Sequence, residues 1–323
     1  MERRQFCLAA GLASGLLALK AQAQGFKKGQ PIVMVVPFSP GGNLDTVARA
    51  VAPELGKALG VSVVIENKPG AGGVIGAGLV ARAAPDGHTL LVTTPNAITV
   101  APLMVDTHYT LKDFAMVGGL GVASQVVAVN PKGRFQSMAQ LLDKARQHEG
   151  AVTVGHSGLG TTNHIALLQL EEAAQCRFTA VPFKGSAPAL SALLGGQIDA
   201  IVDQVTSSYA SIQAGRLRGL AVLSKERDTF LPDVPTLAEA GVSGFTSMTQ
   251  SGLLAPAGTP QDVILQLNAA LNTALKTDAV RQRLHNSGSQ ALITTPEQLL
   301  QVFDAQLQAA RALDAQGKLT TGG

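Results

Sequence analysis

Along this 323-residue chain, short runs of β-branched and aliphatic residues repeatedly end in a glycine-containing turn and lead into a helical pattern. That repetition restricts the chain to α/β folds, in which sheets are covered by helices, and for most of its length it predicts parallel strands. Ile32–Val36 reads as a buried strand, Pro40-Gly41-Gly42 as a turn, and Leu44, Val47, Ala48, Val51 and Leu55 keep the spacing of one helical face. Residues 61–66 give a second strand, 74–84 a second helix and 89–93 a third strand, so the first unit is βαβαβ. A second series comprises strand 126–130, helix 137–147, strand 152–155, helix 161–175, strand 178–182, helix 186–194 and strands 199–203 and 217–223. Beyond the proline-rich Leu231-Pro232-Asp233-Val234-Pro235, the chain runs through 245–254 into helices at 261–276 and 278–286, a strand at 290–293 and a long helix from Pro296. Those last helices need a sheet to cover, and the first unit offers an open face.

The beginning of the chain reads as an address rather than as fold. Arg3 and Arg4 precede an apolar run from Phe6 to Leu19, and Ala21-Gln22-Ala23 is an A-x-A cleavage site, so export and a mature start at Gln24 are expected. Arg3-Arg4-Gln5-Phe6 partly matches a twin-arginine signal, with Cys7 where leucine is usual, so both export routes stay open. Loss of residues 1–23 removes Arg3, Arg4, Lys20 and Glu2, which lowers the formal charge from +3 to +1. A near-neutral chain with no Trp and two Tyr carries neither the basic footprint nor the stacking platforms of a nucleic-acid binder. Cys176 is the only cysteine after the leader, which excludes an intramolecular disulfide and fits a small buried apolar residue.

The remaining residues exceed what one core usually holds, and no long polar linker separates them. Two domains that share strands are therefore expected, with 24–125 plus 246–323 as the first and 126–245 as the second.

Four glycine-containing loops follow strands and precede helices: 37–43, 67–73, 155–161 and 183–186. Such loops bring backbone N–H groups close to a ligand, and the helix N-terminus adds unpaired donors and partial positive charge, a combination suited to carboxylate or phosphate. Val36-Pro37-Phe38 and Val181-Pro182-Phe183 echo one another, as if two similar domains presented equivalent loops to one cleft. A dinucleotide site is disfavoured, because strand 89–93 ends in Thr93-Thr94 without an acidic residue for a ribose. Gly155-His156-Ser157-Gly158 suggests a nucleophile elbow, but the fifth position is Leu159 and the loop continues to Gly160 before a helix starts. Ser157 with Asp203 and His285 is thus kept only as an alternative, a secreted serine hydrolase. Thr161 or Thr162 can cap the following helix, with Asn163 and His164 in its first turn facing a cleft. His156 and His164 lack acidic or sulfur companions at metal spacing, so no metal is expected.

Read together, V-P-F-S-P-G-G-N-L-D-T-V-A-R at 36–49, E-N-K-P-G-A-G-G at 66–73, A-A-P-D-G-H-T-L-L at 83–91, V-P-F-K-G-S-A-P-A-L at 181–190, L-L-G-G-Q-I-D at 193–199, L-P-D-V-P-T at 231–236 and L-L-A-P-A-G-T-P at 253–260 form an ordered set. In this order they resemble the substrate-binding receptors of tripartite tricarboxylate transporters, the Bug family, over essentially the whole mature chain. The resemblance implies a two-domain periplasmic-binding-protein fold of type II, a clamshell closing on a small carboxylate without catalysis or cofactor. It implies a monomer in the periplasm, working with membrane transporter subunits or with a sensor partner. Carried over by position, Phe38, Ser39, Gly41, Gly42 and Asn43 would form the first carboxylate loop, beside Ala71, Gly72 and Thr94. Ser157, Gly160, Thr161, Thr162 and His164 would meet the other end of the ligand, with Lys184, Gly185 and Asp203 nearby. Two departures stand out. Gln250-Ser251-Gly252 replaces the family's usual Trp before Gly and offers the Gln250 amide, and Gln204-Val205-Thr206-Ser207-Ser208 stands where Asn and Pro are usual. Both favour a distal end of the site that prefers polar groups.

Overall fold

The computed structural model describes residues 29–317 and 319. The expected leader, its cleavage site and Cys7 lie outside the described residues. Among those described, no helix is long and apolar enough to cross a membrane.

The first unit forms as its spacing predicts. Strand β1 (Ile32–Val36) lies between β2 (Val63–Asn67) and β3 (Thr89–Thr93), parallel to both. Helix α1 (Asn43–Leu59) starts after Gly42 and buries Leu44, Val47, Ala48, Val51 and Leu55. It stops at Gly60, a left-handed residue whose N–H bonds the last-turn carbonyls. Helix α2 (Val74–Ala81) follows the second glycine loop, and two short helices, α3 (Pro95–Thr99) and α4 (Ala101–Met104), follow β3. These two were absent from the sequence reading, being too short to establish a helical period.

Strand β4 (Phe114–Val129) is the backbone of the molecule. The sequence predicts only its far end, because Gly118, Gly119 and Gly121 break the apolar run. They are required there: a Cβ at Gly119 would collide with the carbonyl oxygen of Leu292, so the following strand can lie close only against glycine. The first part of β4, Phe114 to Ser124, pairs antiparallel with β9 (Met248–Pro256), which in turn pairs antiparallel with β3. Its last part, Gln125 to Val129, pairs antiparallel with β7 (Ala200–Gln204) and, from Val126, with β8 (Arg218–Val222). Beyond β7, the strands β5 (Thr153–His156) and β6 (Thr179–Pro182) run parallel. The sheet is therefore mixed where parallel strands were expected, because two long strands cross from one half to the other and back.

Helices α5 (Met138–Gln147), α6 (Thr162–Ala174), α7 (Ser186–Leu194) and α8 (Val205–Gln213) clothe the second half. Helix α8 is an addition to the sequence reading, in which strand 199–203 led straight to strand 217–223. Its first turns, Val205-Thr206-Ser207-Ser208, have weak helix propensity and depend on tertiary contacts. The terminal helices α9 (Gln261–Lys276), α10 (Asp278–Asn286) and α11 (Pro296–Ala315) return to the first half, with the short strand β10 (Gln290–Ala291) paired to β4. Helices α1, α9 and α10 bury one face of the first sheet, from Leu55 through Leu267 and Leu271. On its other face α2, α3 and α11 pack Ile98, Leu299 and Phe303 against Val35 and Leu254. A separate core joins α5 and α6 to the far part of β4 through Leu141, Leu167, Leu170 and Val127. The two cores define two lobes.

Candidate functional site

The loop after β1 is braced from beneath by one carboxylate. Asp45, in the first turn of α1, accepts from Gly41 N (2.9 Å), from Asn67 Nδ2 (2.9 Å) and from Arg49 Nε (2.9 Å). Asn67 Nδ2 also lies 3.0 Å from the Phe38 carbonyl, and Arg49 Nη2 donates to Asn67 Oδ1 at 3.1 Å, tying the ends of β1 and β2 together. Burial by itself would push the Asp45 carboxyl up, but the bonds from Arg49, Gly41 and Asn67 with the Arg49 charge outweigh it and hold it below the usual range. The brace turns the start of α1 toward the other lobe, and among the described residues no side chain caps that start.

The loop after β5 is a closed set of local bonds. Thr161 caps α6 by accepting from His164 N (3.4 Å), its hydroxyl donates to the Gly158 carbonyl (2.7 Å), and Ser157 Oγ donates to Thr161 Oγ1 (3.1 Å). Gly160 N donates to His164 Nδ1 at 3.2 Å. The His156 and His164 rings stack with centroids 4.6 Å apart, and burial, with mutual repulsion added at His156, lowers both to about 4, so both are neutral near pH 7. This corrects the expectation that His164 faces the cleft: its ring is spent on holding the loop. It also removes the hydrolase alternative. Ser157 bonds a threonine rather than a base, Asp203 receives Asn163, Ser207 and Ser208, and His285 packs edge-on against Phe230 in α10.

The lobes meet through these loops. Ser39 N and Oγ both donate to the Lys184 carbonyl (3.1 and 2.9 Å), and Thr162 Oγ1 donates to Asn96 Oδ1 (3.3 Å). The two Pro-Phe loops that echo one another in sequence are thus the loops that touch, with Gly185 packed against Phe38. Across the second contact, Gly72 lies against the backbone of Leu159 so closely that a Cβ would collide with its carbonyl oxygen.

Between the contacts sits a cavity of about 20 Å³, lined by Phe38, Gly42, Asn43, Leu44, Thr94, Ser157, Thr161, Thr162, Asn163, Ser186 and Gln204. It has room for roughly one water, so the lobes are shut on each other. Every side chain lining it is uncharged. The starts of α1, α6, α7 and α8 all reach it, through Gly42 and Asn43, Thr161 and Thr162, Ser186, and Gln204 respectively, and the short α3 adds Thr94. Helix starts carry unpaired N–H groups and the positive end of the dipole, a setting suited to an anion without a cationic side chain.

Of the residues expected at the ligand, Phe38, Gly42, Asn43, Thr94, Ser157, Thr161 and Thr162 line the cavity. Ser39, Gly41, Gly72, Gly160 and Gly185 lie outside the lining, in the loops that bring the lobes together. Ala71 is exposed with a left-handed φ of 46°. Lys184 is exposed and offers only its carbonyl, and Gln250 sits half-buried on β9 opposite Val122. Asp203 is buried behind the cavity wall. Asn163, expected to face a cleft from the first turn of α6, lines it; Leu44, Ser186 and Gln204 were not among the expected contacts, and each immediately follows a residue that was, a signal available from the loop ends. A larger groove of about 520 Å³ lies between α5, α6 and the end of α11, lined in part by Arg146, Glu171, Arg177 and Leu319, away from the loop cluster.

The sequence model of the tripartite tricarboxylate transporter family receptor matches residues 47–317. Protein BugT of Bordetella pertussis is 36% identical over 274 residues, 83% of this chain and 83% of its own length. The structure superposes on MatC from Rhodopseudomonas palustris with bound malate at a TM-score of 0.83, with 34% identity, covering 89% of this chain and 100% of that one. It also matches Rpa4515 of R. palustris with adipate at a TM-score of 0.85 and 31% identity, covering 90% and 98%. Loop order, lobed fold and these likenesses agree: the chain belongs to the tripartite tricarboxylate transporter receptor family, the Bug substrate-binding proteins.

Proposed function

We propose that this receptor captures a small organic acid between its lobes in the periplasm, after export by its N-terminal leader, and presents it to a tripartite tricarboxylate-type membrane transporter. The lobes would be residues 24–125 with 246–323 and residues 126–245, moving about the crossings in β4 and β9. The observation that carries the reading is the convergence of α1, α6, α7 and α8 on a cavity without a charged side chain. Backbone donors preorganised at helix starts bind a carboxylate while leaving nothing for a neutral solute to neutralise. Malate on one relative and adipate on another support the class of ligand.

A thermal-shift screen of mono-, di- and tricarboxylates tests it. A ligand at a hundred times its Kd stabilises the folded state by about 2.7 kcal/mol, which is easily resolved. The expected result is stabilisation by at least one acid and by none of the matching amides or alcohols. No shift with any acid would contradict the reading.

A further inference from the structure

The wall of the cavity formed by the second lobe is a buried network of amides. Gln204 Nε2 donates to Asn163 Oδ1 (2.6 Å), and Asn163 Nδ2 returns a bond to Gln204 Oε1 (3.3 Å), a reciprocal amide pair. Gln204 Oε1 also accepts from Ser186 Oγ at 3.1 Å. Behind them Asp203 Oδ1 accepts from Asn163 Nδ2 at 3.2 Å, and its other oxygen accepts from Ser208 Oγ at 2.6 Å. Asn163, Ser186 and Gln204 line the cavity, Asp203 does not, and each is more than nine-tenths buried.

The direction of these bonds follows from their chemistry. The Val202 carbonyl and Asp203 Oδ1 both accept from the Asn163 amine, at 3.0 and 3.2 Å, so together they turn it toward themselves and leave the Asn163 oxygen for Gln204. The Gln204 amine then faces Asn163, and its oxygen is occupied by Ser186 and Asn163. A primary amide has two N–H bonds, and only one is used in the pair. The second lies outside that pair, on a residue that lines the cavity.

We propose that Gln204 is the specificity-determining residue of the cleft and that Asn163, held by the Val202 carbonyl and Asp203, is the positioning residue that sets its polarity. On this assignment, which rests on the carboxylate reading above, the site selects acids that carry an acceptor oxygen at the end away from the bound carboxylate. It rejects acids that end there in bare hydrocarbon, because closure would bury the Gln204 N–H unpaired.

Calorimetric titration of the full mature chain with three acid series of four to six carbons tests this: ω-methyl acids such as hexanoate, their methyl-ketone counterparts such as 5-oxohexanoate, and dicarboxylates such as adipate. The wild type is expected to bind the best acceptor-bearing acid at least about tenfold tighter than its hydrocarbon-ended counterpart. Gln204→Met keeps the length and removes the amide, and should reduce that ratio to near one while hexanoate-type binding is retained, which shows that the cleft is still built. Asn163→Leu removes the oxygen that holds the Gln204 amine and should lower the ratio without loss of the first carboxylate, an effect that a merely structural role would not have. A wild-type ratio near one, or a ratio unchanged in Gln204→Met, overturns the assignment and leaves the carboxylate reading standing. Binding of none of the acids overturns both.

Discussion

Thr161 shows how much of this site is settled by single side chains. It caps α6, ties the loop through Gly158 and takes the Ser157 hydroxyl, so a residue that resembles a nucleophile becomes part of a rigid loop. The stacked histidines behind it carry a pH dependence whose sign is fixed. Their folded pKa values of about 4 lie below the ordinary 6.5, so the unfolded chain takes up protons that the native rings refuse. Their contribution is complete above about pH 6.5 and is lost as pH falls toward 4, up to about 2 kcal/mol per ring by pH 5. Urea unfolding at pH 7 and pH 5 should show that loss, and His164→Gln, which keeps an acceptor for Gly160 N, should show distinctly less of it. Asp203 works in the opposite direction, since burial, despite bonds from serines, raises its pKa; its contribution is lost as pH rises, so comparison of the two proteins isolates the rings. Equal losses in both would contradict the assignment.

At the scale of elements, the helices that shape the site were legible because their starts combine a glycine loop with an apolar period, as in Gly41-Gly42 before Leu44, Val47 and Ala48. What the sequence hid was set by close approach. The near half of β4 is broken by glycines at close approaches, Gly118 to Asn268 and Gly119 to Leu292, and the first turn of α8 is made of Val205, Thr206, Ser207 and Ser208, which have little helical preference of their own. Gln204 was noticed as a departure but not placed in the cavity, because without α8 there was no helix start to aim it. The loop at 71–73 has a role that position alone did not reveal: Gly72, with φ of 62°, makes a contact between the lobes rather than a wall of the cavity. Gly72→Ala should cost about 1 kcal/mol of stability from the left-handed backbone. Its larger effect should be on closure, with Kd for an acid found by thermal shift weakened at least about tenfold, since a ligand gains only what the closed state allows. Unchanged affinity by calorimetry would mean that the Leu159 contact is not made when ligand is held.

At the scale of the whole molecule, the fold puts two sets of helix starts on opposite jaws and joins them by two long strands, so that shutting the jaws completes the site. Each lobe has its own core, and on the proposed reading the jaws would move as bodies about β4 and β9. The cavity lining carries no charged side chain, so on the proposed reading oriented peptide dipoles would carry the recognition. A crystal structure of the mature protein with the acid that gives the largest thermal shift tests this most directly. The expected result is a carboxylate within about 2.7–3.1 Å of N–H donors at the start of α1, with the helix starts of the second lobe around the remainder of the ligand. A carboxylate paired instead with Arg146 or Arg177 in the groove beside α11, or jaws that stay apart around it, would contradict it.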